Sequence, residues 1–79
     1  MTYDIKIDNH KVFTIKEVPP GQLYILKGTV ERGSKLKAIH CVRRRTADPF
    51  RSLTYFGTKV FSFPSDKVYL VEVIVNSPL

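Results

Sequence analysis

Lys67-Val68-Tyr69-Leu70-Val71-Glu72-Val73-Ile74-Val75 decides the fold. Its apolar residues fall on both alternate sets, and only Glu72 interrupts them. β-branched and aromatic side chains dominate. A run of this kind predicts a central strand buried on both faces of a sheet. The rest of the chain must supply the neighbours of that strand.

The flanking segments repeat with a period of two. Tyr3, Ile5 and Ile7 alternate with Asp4, Lys6 and Asp8, which predicts a half-buried strand. Asp8-Asn9-His10-Lys11 reads as a turn, because Asx side chains bond their own backbone. Phe13, Ile15 and Glu17 then alternate with Val12, Thr14 and Lys16, so an N-terminal hairpin is expected. Val18-Pro19-Pro20-Gly21 stops it.

Leu23–Glu31 reads as the next strand, with Gly28 marking a bulge or a close backbone approach. Arg32-Gly33-Ser34 reads as a hairpin turn into a strand over Lys35–Arg44. On that strand Leu36, Ala38, His40 and Val42 share one face, and Lys35, Lys37, Ile39, Cys41 and Arg43 share the other. Asp48-Pro49 suits a single helical turn within 48–53. Tyr55, Phe56 and Gly57 follow, then a short strand over Lys59–Phe63 closed by Pro64.

The expected fold is all-β. It is one domain over 1–79, an antiparallel barrel or barrel-like sandwich of six or seven short strands, SH3-like or OB-like. An immunoglobulin-type sandwich usually needs ~100 residues, and this chain has 79. Its composition is 43% hydrophobic and 25% charged, too apolar for a disordered chain. No apolar run reaches the ~18–20 residues of a membrane helix. Met1–Lys6 lacks the apolar region of a secretory signal, so a cytoplasmic location is expected.

Charge is concentrated. Residues 32–51 hold Arg32, Lys35, Lys37, Arg43, Arg44, Arg45 and Arg51 against the single acid Asp48, which accounts for the whole net charge of +6. All five arginines lie in that window, while six of the eight lysines lie outside it among balancing acids. Guanidinium groups bind phosphate bidentately and stack on bases. The expected function is therefore a nucleic-acid-binding module. Its site is Arg32, Lys35, Lys37, Arg43, Arg44, Arg45 and Arg51, with Tyr55 and Phe56 as stacking surfaces. Phe50 and Tyr24 are further stacking candidates, whereas Phe13, Phe61, Phe63 and Tyr69 are expected in the core.

Two other readings use the same residues. The arginines also suit docking to an acidic protein, as an inhibitor, adaptor or accessory protein of a phage or mobile element. A short core and an apolar strand suit a homo-oligomer joined through an edge. A charge run can equally be a solvated face.

No enzyme is expected. His40, Tyr55 and Arg43 or Arg44 are residue types found in metal-independent ribonucleases, but no spacing brings them together. His40 is expected to be buried and hydrogen-bonded, and His10 solvated. Cys41 reads as a small buried hydrophobe. Two histidines and one cysteine lack a fourth ligand at metal spacing. No phosphate-cradling or dinucleotide motif occurs, so neither metal nor cofactor is expected.

Overall fold

The computed structural model describes residues 2–32 and 39–76. It contains β1 (Thr2–Thr14), β2 (Leu23–Leu26), a short helix α1 (Lys27–Glu31), β3 (Arg43–Arg45), β4 (Arg51–Thr54), β5 (Lys59–Phe61) and β6 (Lys67–Asn76). The six strands form one antiparallel sheet in the order β1-β6-β2-β3-β4-β5. No described helix is long and apolar enough to cross a membrane.

β6 takes the expected central place, between β1 and β2. The cores on its two faces explain the two-sided apolar pattern from Val68 to Val73, whereas Ile74 and Val75, expected to be buried with them, are 44% and 45% exposed. One face gathers Ile15, Val18, Tyr24 and Val68, with Phe13, Leu26 and Leu70 against them. The other gathers Ile25, Val42 and Val71, with Ile5, Ile7, Tyr69 and Val73 among their neighbours. Each fully buried aliphatic side chain contributes about 1.5–3 kcal/mol.

β1 corrects the expected N-terminal hairpin. The chain does not reverse at Asp8–Lys11; β1 runs on and pairs with β6 again from Phe13. Ile7 pairs with Val71 and Asp8 with Leu70, but the next pairing is Phe13 with Val68. The intervening residues form a bulge, within which the Asp8 carboxylate accepts the His10 N–H at 3.2 Å. The bulge has a physical role. Regular alternation would leave Phe13 on the same face as Ile7. The shifted register moves it to the opposite face, so one strand serves both cores. A 3-10 turn over Ile15–Glu17 then buries Ile15. Glu17 caps it by accepting the Thr14 N–H and hydroxyl, at 3.0 and 2.9 Å. These two donors hold its carboxyl below the ordinary glutamate value.

Pro19-Pro20-Gly21-Gln22 is a β-turn, closed by the Gln22 N–H on the Pro19 carbonyl at 3.1 Å. Gly21 has φ +89°, which a type II turn requires at its third position. The strand expected over Leu23–Glu31 ends at Leu26, where α1 begins. Lys27 and Glu31 form an i,i+4 ion pair along α1, and Arg32 Nε bonds back to the Gly28 carbonyl at 3.1 Å. Gly28 therefore sits in a helical turn, not a bulge. An added Cβ there meets only the flexible end of Arg32, at 4.0 Å. Gly28→Ala is expected to stabilise the protein by about 0.5–1 kcal/mol, read as a higher urea midpoint at unchanged slope.

The hairpin turn expected at Arg32-Gly33-Ser34, and most of the strand expected over Lys35–Arg44, lie outside the described residues. What is described of that stretch differs from the expectation. Ile39–Cys41 is a 3-10 turn and only Arg43–Arg45 is strand. The antiparallel pairing itself survives, as Leu23 with Arg44 and Tyr24 with Arg43. His40 is exposed rather than buried, whereas Cys41 is half-buried against the second core. The helical turn expected within 48–53 is instead a single tight turn, the Arg51 N–H bonding the Asp48 carbonyl at 3.1 Å, and β4 begins at Arg51.

Strand pairing does not close the sheet among the described residues: β1 and β5 are its two ends. The sheet nevertheless curls. Tyr3 of β1 packs edge-on against Tyr55 and Phe56, which follow β4, at ring-centroid distances of 5.7 and 6.1 Å.

Candidate nucleic-acid interface

β3, β4 and β5 form the far end of the sheet, held by two compact connections. Tyr55-Phe56-Gly57 joins β4 to β5. The Gly57 N–H bonds the Thr54 carbonyl at 2.9 Å, the Thr54 N–H bonds the Thr58 carbonyl at 2.8 Å, and Gly57 has φ +93°. This is the three-residue hairpin loop with glycine at its left-handed position. Between β3 and β4, the Thr46 hydroxyl bonds the Asp48 and Arg51 carbonyls. The Asp48 carboxylate accepts the Phe50 N–H at 2.9 Å. The one acid of the basic window is thus engaged in shaping its own loop.

Residues opposite one another on paired strands share a face. Arg45 pairs with Ser52, and Ser52 with Val60; this face turns inward. The Tyr24 and Ser52 hydroxyls share a hydrogen bond at 2.5 Å, and Ser52 and Ser62 share another at 2.9 Å. Arg45 is 7% exposed. Its Nε donates to the Ile15 carbonyl at 3.0 Å, and its Nη1 is buried without a partner. Among the described residues no carboxylate pairs with it. Arg45 is therefore a structural strut between β3 and the end of β1, and its assignment as a surface contact is corrected.

The outward face carries the opposite set. Arg44 pairs with Leu53 and Leu53 with Lys59, while Arg51 pairs with Phe61. Arg44, Arg51 and Lys59 are exposed. Strand spacing of about 4.8 Å places these three cations within ~10 Å of one another, inside one Debye length at ordinary salt. Their fields therefore add. Phe61 and Phe63 are 65% and 60% exposed and stand edge-on to each other at 5.2 Å. Both were expected in the core. The core takes Ser52 and Ser62 instead, because the Tyr24 hydroxyl needs polar partners there, and alternation then turns Phe61 and Phe63 to solvent. Phe50, 53% exposed, adjoins Arg51.

The remaining candidates separate. Arg43 lies half-buried on the face of Tyr24 and Thr54, opposite to Arg44. Arg32 ends α1 and lines a groove with Lys27, Glu31, Asp66 and Lys67, away from the β3–β5 face. Tyr55 is half-buried against the second core. Phe56 is 63% exposed at the hairpin tip. Lys35 and Lys37 lie outside the described residues. The basic window therefore does not form one patch. Of its arginines only Arg44 and Arg51 share an exposed face, and Lys59, Phe61 and Phe63 join them from beyond the window. A readable signal for the latter was the alternation Lys59-Val60-Phe61-Ser62-Phe63, which sets a lysine and two phenylalanines on one side.

Charge sign distinguishes this face from the other grooves. The groove beside α1 mixes Glu31 and Asp66 with Lys27 and Arg32. A groove along β1 and β6 mixes Asp8 and Glu72 with Lys6 and His10. The shallow groove of about 220 Å³ on β4 and β5 is lined by Arg51, Lys59, Val60 and Phe61, with no acid. Compared with protein-family models, with curated proteins and with solved structures, the chain finds no match.

Proposed function

We propose that the outward face of β3, β4 and β5 binds single-stranded nucleic acid. The observation that carries this reading is the acid-free cluster of Arg44, Arg51 and Lys59 beside two exposed phenylalanine rings. The cations neutralise phosphates, and the rings stack on unpaired bases, each stacked base being worth about 1–3 kcal/mol. A duplex keeps its bases stacked on one another and offers the rings nothing. The curl of the sheet supports the expected small-barrel frame, SH3-like or OB-like, for such a surface. No residue of the cluster is asked to perform a reaction.

Salt dependence tests the reading. With three phosphate contacts on a single strand, the logarithm of affinity should fall with the logarithm of salt at a slope of about −2. Fluorescence anisotropy of a labelled oligonucleotide, titrated at several salt concentrations, measures it. A duplex of the same sequence should bind more weakly. Failure to bind at low salt would defeat the proposal. Capture of an acidic protein that survives nuclease treatment, with no oligonucleotide binding, would replace the nucleic acid by a protein partner.

A further inference from the structure

We propose that β1 pairs edge to edge with β1 of a second copy of this chain, antiparallel and centred on Ile5. β1 is the terminal strand of the sheet, so its outer side has no strand partner among the described residues. Natural edges are usually protected by shortness, bulges, proline or a row of lysines. β5, the opposite edge, is three residues long and is followed closely by Pro64. Over Asp4–Ile7, β1 has none of these protections; its bulge begins only after Asp8.

Charge selects both the occupant and the register. Residues that oppose each other must share a face, so the two-fold axis passes through a residue. An axis at Asp4 sets that carboxylate against its own copy. An axis at Lys6 sets lysine against lysine and Asp4 against Asp8. An axis at Ile7 sets Lys6 against Asp8 twice over, but it places Ile5 against Asn9, inside the bulge, where the strand is no longer regular. Only the axis at Ile5 places Asp4 against Lys6 of the second copy twice over, with Ile5 against Ile5. Each ammonium then lies between Glu72, its partner across β6, and Asp4 of the other copy. Asp4 keeps its hydrogen bond from the Asn76 amide at 2.7 Å. The strand edge is thus complementary to itself in one register that stays clear of the bulge, as an isologous interface demands. A chain of this size also has a thin core to gain from association.

Sedimentation velocity over a concentration series tests this, with circular dichroism to check folding. The wild-type protein should pass from monomer to dimer as concentration rises. Asp4→Lys sets lysines against lysines and Lys6→Asp sets carboxylates against carboxylates. Each should weaken self-association about tenfold. An equimolar mixture of the two variants should associate again, because the cations of one then face the anions of the other. A wild-type monomer at millimolar concentration overturns the proposal, whatever the variants do. So does undiminished dimerisation of the single variants, or a mixture that fails to associate.

Discussion

Arg45→Ala is expected to remove most of the protein's stability. The guanidinium is buried, and its Nε holds the Ile15 carbonyl at 3.0 Å. Truncation strips that carbonyl of its donor and opens a cavity between β3 and the 3-10 turn that follows β1. Together these cost about 2–4 kcal/mol. A domain this small has only about 3–5 kcal/mol in total. Arg45→Met separates packing from charge. It keeps the stem volume and removes a buried cation that has no carboxylate partner among the described residues, so most of the lost stability should return. Urea denaturation of both variants measures the difference. An Arg45→Ala protein as stable as the wild type would show that Arg45 is no strut.

The double substitution Arg44→Glu, Arg51→Glu should have the opposite profile. Both side chains are exposed and neither bonds a neighbour among the described residues, so stability should change by less than about 0.5 kcal/mol. Binding should suffer severely. Two of the three phosphate contacts vanish, and two carboxylates now face the strand. Affinity at low salt should fall about a hundredfold or more, and the salt slope should flatten towards zero. Arg45→Met, by contrast, should leave the slope unchanged. Three consecutive arginines are thereby assigned different work. Arg44 is the one proposed to contact ligand, Arg45 holds the fold, and Arg43, which precedes both, lies half-buried on the same inward face as Arg45.

That division was partly legible in the sequence. Successive residues on a strand point to opposite faces, so Arg43, Arg44 and Arg45 cannot all reach one surface. The alternation did not say which of them turns inward. That depends on Tyr24, whose hydroxyl draws Ser52 to the inner face, and Arg45 pairs with Ser52. The same constraint brings Phe61 out and Ser62 in, against the usual preference of each residue type. β6 was legible because an apolar run on both faces has one economical reading. β1 was not, because an Asx turn at Asp8 bonds its backbone identically in a hairpin and in a bulge; only pairing with β6 decides between them. α1 is five residues long, shorter than the window over which helical periodicity stands out. Its Thr29 and Val30 are strand formers by type.

Mapping amide chemical shifts while titrating a single-stranded oligonucleotide locates the binding face. Shifts should concentrate at Arg44, Arg51, Lys59, Phe61 and Phe63 and fade as salt is raised, with Arg32 and α1 unmoved. Shifts centred on α1, or none at low salt, would contradict the account.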